Sequence, residues 1–468
     1  MSANAKPAKG AFPYKVYDGG FEETFEPRPP EFSDESLALC FADRHADDLR
    51  YVDPWSRWLV WNGKRWAFDD TRKAFDLSRE ICREASAECN TKAASQLASA
   101  KTVAAVLGLS RADRRLAATI EQWDSDPWQL NTPGGVVDLT TGGIRPAISQ
   151  DYVTKMTGAP AENTKCTRFM SFLSQVTDGD TALQDFLQRV FGYCLTGSTQ
   201  EHALFFLYGK GANGKSVLLN TIAGVVGDYH RTAPIETFTA SSVDRHPTEL
   251  ACLQGRRLVT AIETEEGRRW AESRIKALTG GDKIAARFMR ADFFEFTPAF
   301  KLVIAGNHKP GLRTVDEAIR RRFHLIPFTV TIPEDKRDPE LGQKLKAEWP
   351  GILDWMINGA LNWQEQGLCP PEAVTAATKA YLEAEDALSA WLDECCDRDS
   401  PSAWETTSSL FGSWKGWAEK AGEHPGTMKR FVQNLEARGL TWERRMIGRG
   451  FLGVRLVMKE EPNRYWNR

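Results

Sequence analysis

The chain has 468 residues, with 60 Lys and Arg against 63 Asp and Glu, a formal net charge of −3 and 42% hydrophobic residues. That length implies two to four domains of roughly 100–200 residues each, with apolar residue enough for genuine cores. A near-neutral total decides nothing about nucleic acid, because basic residues can be confined to an inner channel or a small appendage. The nine cysteines form no C-x-x-C pair, and vicinal Cys395 and Cys396 suit neither an ordinary disulfide nor a zinc site. They read as reduced thiols in the cytoplasm of a bacterium or host cell. The amino terminus lacks a basic-then-apolar signal, and no apolar run approaches the ~20 residues of a bilayer span, so no membrane association is expected.

Residues 1–33 are rich in Ala, Pro, Gly and Lys and read as a flexible tail. Residues 34–163 read as a mostly helical lead-in domain with short hairpins. A helical pattern runs from Glu35 to Phe41, and Trp58, Val60 and Trp66 then alternate about Asn62-Gly63, a strong hairpin signal. Helical spacing fills 76–122. Gly135 to Leu139, with Gly142-Gly143-Ile144, makes a second hairpin. Residues 164–200 form a helical collar or linker, a helical block from Cys166 to Thr196. Residues 201–335 bring three strand-like runs, at Ala203–Tyr208, Arg257–Ile262 and Lys301–Ala305, with helical patterns between them. That rhythm predicts an α/β domain with a parallel sheet. A helical segment, 336–395, and a terminal module, 396–468, complete the chain, and no internal repeat is evident.

The segment Gly209-Lys210-Gly211-Ala212-Asn213-Gly214-Lys215-Ser216 fits G-x-x-x-x-G-K-[ST], between a buried strand and a helix starting near Val217. Glycines let the backbone curl so that its N–H groups face phosphates, and the helix start adds positive dipole. Lys215 then reaches the outer phosphates and the Ser216 hydroxyl ligates Mg2+. ATP and Mg2+ are thus the expected cofactors, with Gly209, Gly211, Ala212, Asn213, Gly214, Lys215, Ser216 and Val217 around the nucleotide. The next strand ends in Ile262-Glu263-Thr264-Glu265-Glu266, where a carboxylate at the sheet's carboxyl edge holds Mg2+ and polarises a water. Glu263 is the expected main acid and Glu265 its helper; a solvated acidic loop is the competing reading. The third strand runs into Asn307, placed to sense the attacking water or the γ-phosphate. Arg320-Arg321-Arg322 follow. An arginine from a neighbouring subunit accelerates phosphoryl transfer by ~10³–10⁵, which makes Arg321 or Arg322 the candidate finger in trans and a solvated or nucleic-acid-facing patch the alternative.

Together these segments resemble superfamily 3 helicases, and more closely the poxvirus-type primase-helicase family found in phages and plasmids. The likeness rests on Phe206 to Ser216, on Leu258 to Gly267 with its Glu-Thr-Glu-Glu-Gly, and on Lys276 to Asp282 with Arg287. Phe296-Thr297-Pro298, Asn307 to Pro310 and Asp316 to Phe323 extend it. Upstream, Asn131 to Leu139 and Phe191 to Gly197 look like the family's lead-in. The resemblance implies a AAA+ core in a hexameric ring, ATP held between subunits, single-stranded DNA in the pore and 3′-to-5′ translocation. It also implies a pore hairpin, mapping here to Ala286–Phe296, where Lys283, Arg287 and Arg290 track phosphates. Larger relatives carry a primase domain upstream, whereas here a short tail precedes the helical domain. No primer synthesis is therefore expected, and a separate primase or host replication proteins would serve the replicon. Asp43, Asp47 and Asp48, beside Arg44 and Arg50, read as a solvated helix face rather than a metal site.

In the terminal module, 406–421 is an amphipathic helix with Leu410, Trp414 and Trp417 on one side. Met428–Arg438 is a second helix, with Phe431, Val432 and Leu435 inward and Lys429 and Arg430 outward. A hairpin follows, with Arg444, Arg445 and Arg449 near a tip at Gly448-Arg449-Gly450. This is a winged-helix pattern, with DNA contact by Lys429, Arg430, Arg444, Arg445 and Arg449; protein docking is the other use of such modules. From Pro401 onward there are twelve Lys and Arg against seven Asp and Glu. The sequence thus predicts an ATP-dependent replicative DNA helicase of a phage, plasmid or mobile element, acting on single strands and forks. The alternative is a nucleotide-switched origin-binding protein that melts DNA locally and recruits a host helicase.

Overall fold

The computed structural model describes residues 29–240, 248–263, 268–289, 292–312, 315–423, 425–436, 438–446 and 448–457, with Glu263 described for its backbone alone. The chain divides into two compact units, one of residues up to Val60 with Phe68–Ile120, the other of Trp61–Ala67 with Glu121 onward. Of the expected tail, residues 1–28 lie outside the described residues.

The first unit is built on helix Asp34–His45, whose start is fixed by Ser33 accepting from the Ser36 N–H at 3.2 Å. Strands Leu49–Val52 and Arg57–Trp61 pair antiparallel, with Leu49 opposite Val60. Helices Lys73–Ala87, Thr91–Leu97 and Ala100–Ser110 close a core around Phe41, Trp58, Ile81 and Val106. Asn62-Gly63, counted with the second unit, forms the expected turn. Gly63 takes φ +84°, and the Asn62 side chain accepts from the Lys64 and Arg65 N–H groups. The stretch expected to be one lead-in domain is therefore shared, because residues 121–163 belong to the second unit.

In the second unit, the expected helical block is two helices, Thr167–Val176 and Thr181–Leu195. Asp178 and Gly179 break it by taking positive φ, and Asp180 caps the second helix through the Leu183 N–H at 3.0 Å. Helix Thr181–Leu195 crosses helix Trp349–Gln366 at glycines: a Cβ on Gly192 would fall 2.1 Å from the Ala360 nitrogen, and one on Gly359 2.1 Å from the Gln188 oxygen. Only side-chain-free positions allow two backbones to meet so closely.

These helices cover one face of the α/β core. Its elements in chain order are β1 (Leu204–Tyr208), α1 (Lys215–Val226), β2 (His230–Thr232), β3 (Leu258–Glu263), α2 (Glu272–Thr279), β4 (Ile284–Ala286), β5 (Phe294–Phe296), β6 (Lys301–Gly306) and β7 (Phe323–Pro327). Five of the strands form a parallel sheet in the order β7-β1-β6-β3-β2. Side chains alternate between two cores, as period-two strands must. Phe205, Leu207 and Val303 face the helices just described, while Leu204, Phe206 and Ile304 face Trp270, α2 and Tyr381. Both faces are thus covered, which explains why the strands read as unbroken apolar runs. The sheet's amino edge holds two buried cations on backbone carbonyls. Arg257 donates to the Leu195, Asp126 and Gln129 oxygens, and Lys301 donates to those of Thr196, Ser198 and Ala299. Leu195 and Thr196 end a helix, whose partial negative charge favours such partners.

Beyond the sheet, Ala387–Cys395, Thr407–Lys420 and Met428–Glu436 are helices around Trp391, Leu410, Trp414 and Phe431. Strand Gly448–Leu452 lies between Thr441–Arg445 and Trp404–Thr406. The hairpin turn falls before Gly448, earlier than expected, and Arg449 pairs in register with Arg444. Gly450 is a strand position, because a Cβ there would meet the Glu405 oxygen at 2.3 Å. Among the described residues no helix is long and apolar enough to cross a membrane.

Candidate nucleotide site and nucleic-acid surface

Parallel register sets what meets at the carboxyl edge. Tyr208 ends β1 opposite Gly306 of β6 and Pro327 of β7, and Gly306 in turn lies opposite Glu263 of β3. The Gly-rich loop after Tyr208, Asn307 after Gly306, and Glu263 therefore emerge at one level. The Glu263 side chain and the whole of Glu265 lie outside the described residues.

The loop is held from within. Asn213 is buried and donates through Nδ2 to the Lys210 oxygen at 2.5 Å and the Phe328 oxygen at 3.1 Å. Gly214 takes φ +80° immediately before α1, and a Cβ there would strike Val176 at 2.5 Å. Lys215, also buried, donates to the Gly209 oxygen at 2.5 Å, the Asn213 Oδ1 at 3.0 Å and the Asn307 Oδ1 at 3.2 Å. Burial pulls its ammonium down to about 8. Among the described residues its partners are neutral oxygens, and a phosphate chain would give it an anionic one, so these residues fit a nucleotide. Ser216 is exposed at the first turn of α1, beside the loop. Among the described residues no cluster of three His, Cys, Asp or Glu could hold a metal, so Mg2+ there would depend on Ser216, Glu263 and the phosphates.

A cavity of about 600 Å³ opens beside Ala212 and Gly214, lined by Phe172, Val217, Ile332 and Leu341 with Arg168 and Gln175. The Gly-rich motif supplies Ala212, Gly214 and Val217 to it, whereas its other walls, from helix Thr167–Val176 and the chain after β7, carry no motif. The loop after β6 is pinned through Tyr381, whose hydroxyl donates to the Pro310 oxygen and accepts from the Trp270 indole. Lys309 lies 4.3 Å from the Tyr208 ring centre.

The arginine triplet sits at the other edge. Phe323 opens β7 opposite Leu204, and the Arg322 oxygen accepts from the Leu204 N–H at 2.7 Å. Four strand steps separate that level from the phosphate loop, roughly 13 Å at ~3.3 Å per residue. The three arginines differ. Arg322 is buried and donates to Thr279 Oγ1 at 3.0 Å and the Ala318 oxygen at 2.8 Å. Arg320 pairs at 3.2 Å with buried Asp386, which also holds Arg438 at 2.6 Å. Arg321 is exposed.

The region expected to form a pore hairpin is an antiparallel ribbon, β4 against β5, with Ala286 opposite Phe294. Lys283 is exposed and Arg287 half-buried, while Arg290 lies outside the described residues. In the terminal module Lys429, Arg430, Arg444, Arg445 and Arg449 are all exposed.

A five-stranded parallel sheet with a Gly-rich loop joining strand to helix at its carboxyl edge is compatible with a P-loop NTPase core. Residues 38–178 match the family described as D5 N terminal like, and residues 207–322 match a family of unknown function. A protein of Acanthamoeba polyphaga mimivirus, named as a candidate helicase, is 23% identical over 340 residues, covering 66% of this chain and 35% of that protein. One of Frog virus 3 (isolate Goorha), similarly named, is 24% identical over 298 residues, covering 58% of this chain and 30% of that protein. The chain thus spans about a third of the length of these relatives. The apo structure of the NrS-1 C terminal region superposes with a TM-score of 0.50 at 11% identity, covering 91% of this chain and 100% of that one, a likeness of fold. The chain is similar to D5-type helicases of the superfamily 3 kind, as the motifs led us to expect.

Proposed function

We propose that the chain is an ATP-dependent DNA helicase motor of a phage, plasmid, virus or other mobile element. It works as an oligomeric ring, a hexamer in the family's pattern, moving 3′ to 5′ on single-stranded DNA. The observation that carries this reading is the placement of Arg321 at the sheet edge opposite the phosphate loop. An exposed arginine so far from its own loop cannot complete its own site, but can complete that of the next copy.

ATP would supply the phosphoanhydride, and Ser216 and Glu263 would hold a Mg2+ ion that neutralises phosphate charge. Lys215 exchanges its neutral oxygen acceptors for the outer phosphates. Glu263, helped by Glu265, accepts the proton of the attacking water, and Asn307, released from Lys215, orients that water. The neighbour's Arg321 meets the charge that develops as the bond to the leaving diphosphate breaks. Arg322, fixed beneath it on Thr279, holds the segment in place. The apolar cavity beside Ala212 takes the nucleobase. Helices Thr407–Lys420 and Met428–Glu436 with the Arg-bearing hairpin form a winged helix whose Lys429, Arg430, Arg444, Arg445 and Arg449 touch duplex DNA.

A mixing experiment tests the central claim. Lys215→Ala and Arg321→Ala each abolish DNA-stimulated hydrolysis in pure form. Random mixed rings regain an intact site wherever a normal loop meets a normal arginine, about one interface in four for equal mixing if each interface is drawn independently, as the shared-site mechanism requires. Absence of any recovery would remove the shared site. A forked duplex addresses the other reading: sequence-specific binding without strand release would favour an origin-marking protein that recruits a host helicase.

A further inference from the structure

The terminal module meets the α/β core at a polar joint. Helix Glu372–Ala384 buries Tyr381 and Leu382 against the sheet, and helix Ala387–Cys395 buries Leu388, Trp391 and Leu392 in the separate terminal core. Only Glu385 and Asp386 lie between these helices, and both carboxylates reach segments distant in sequence. Glu385 accepts from the Leu312 N–H at 2.8 Å, in the chain after β6. Asp386, 5% exposed, accepts from Arg320 at 3.2 Å through Oδ2 and from Arg438 at 2.6 Å through Oδ1. A cleft of about 370 Å³ opens beside them, lined by Val315, Trp414, Glu423 and Arg430 among others.

Asp386 has more partners than its local role needs. It caps helix Ala387–Cys395, accepting from the Ser389 N–H at 3.2 Å and from the Ser389 hydroxyl at 2.8 Å. Asparagine caps a helix as well as aspartate does, so the cap calls for no charge. The two arginines do. A buried ion pair adds little stability, because desolvation offsets the attraction; its effect here is to join three segments at one carboxylate.

The identity of those segments gives the joint its meaning. Arg320 precedes exposed Arg321, and Arg322 on the other side is fixed to Thr279 and the Ala318 oxygen. Arg321 is therefore held between two braces, one inside the α/β core and one at the joint. Arg438 follows helix Met428–Glu436, which carries Lys429 and Arg430, and it donates to the Asn434 oxygen of that helix at 3.0 Å. A shift of the basic helix thus reaches the arginine segment through one side chain.

We infer that Asp386 is a positioning residue that sets Arg321 for the neighbouring copy and transmits to it the position of the terminal module. The inference rests on the proposed shared site and deepens it: the terminal module governs turnover through the arginine offered in trans.

The test uses the full chain with a forked duplex. Asp386→Asn keeps the cap and removes the charge. It should lower kcat for DNA-stimulated hydrolysis on the order of a hundredfold, the cost of a small misplacement, with the KM for ATP unchanged. Its defect should act on the next copy. Mixed with Lys215→Ala, it should regain activity, because its sound loop meets a correctly set Arg321; mixed with Arg321→Ala, it should not. A merely structural lesion damages its own loop and is rescued by neither. Arg438→Met cuts the link from the other side while leaving Asp386 paired with Arg320. It should give the same pattern of rescue, and it decides the question if Asp386→Asn does not fold. Normal kcat in the folded variants, or no rescue by Lys215→Ala, overturns the inference, and the motor stands if Lys215→Ala and Arg321→Ala still complement each other. If that control pair fails to complement, the shared site falls and the inference with it.

Discussion

The two edges of the parallel sheet hold opposite kinds of chemistry. At the carboxyl edge, Lys215 is buried, its ammonium held by Gly209, Asn213 and Asn307. At the amino edge, Arg321 stands exposed beside a buried Arg322 and an Arg320 tied to Asp386. The first edge is organised for a ligand that enters one chain. The second presents an arginine to whatever lies outside the chain. Under the proposed function the two edges of neighbouring copies would form one site, and assembly and turnover would be coupled.

Four measurements test that contrast. Arg321→Ala should cost about 10³ or more in DNA-stimulated hydrolysis with nucleotide affinity kept; normal turnover by steady-state assay would leave the exposed edge without a role. Arg322→Ala should instead cost stability, about 1.5–3 kcal/mol from lost charged hydrogen bonds to Thr279 and Ala318. Thermal melting reads that difference, and an unchanged midpoint would mean that burial of Arg322 is not structural.

The third concerns protonation at the carboxyl edge. Desolvation lowers Lys215 to about 8 in the free protein, and contact with phosphate favours its charged form. Below that value the lysine is already protonated, so it adds no pH dependence. Above it, binding must take up a proton, and affinity should fall as pH rises, by at most about tenfold per unit. Calorimetry in buffers of different ionisation heat would register the uptake, and a flat affinity across the alkaline range would contradict it. The smallest effect lies in the terminal module. Lys429→Ala or Arg445→Ala should lower the salt slope of duplex binding by about one unit each.

Much of this architecture was legible from residue order. The loop from Gly209 to Ser216 is local chemistry, and the three apolar runs that became β1, β3 and β6 announce themselves because both faces of the sheet are buried. Strand β2 was not foreseen. His230-Arg231-Thr232 is short and polar, as an edge strand is, and has no periodic signal. The break at Asp178-Gly179 was present as a turn signal but was overridden by the apolar spacing on either side. The hairpin turn near Gly448 was misplaced because glycine marks close packing as readily as a turn, and Gly450 lies against Glu405 and Trp404. Glu265 and Arg290 were named from sequence and lie outside the described residues.

Residue order carries the Gly-rich loop, the strand rhythm and the positions of Glu263, Asn307 and the three arginines, because each depends on neighbours within a few residues. It is silent on which of three consecutive arginines is free, on the cavity walled by Phe172 and Leu341, and on the rings bared at Phe288 and Phe293. Those depend on which surfaces distant segments cover. Burial is a property of the folded whole, and the same Arg or Phe is a brace or a contact according to what packs over it.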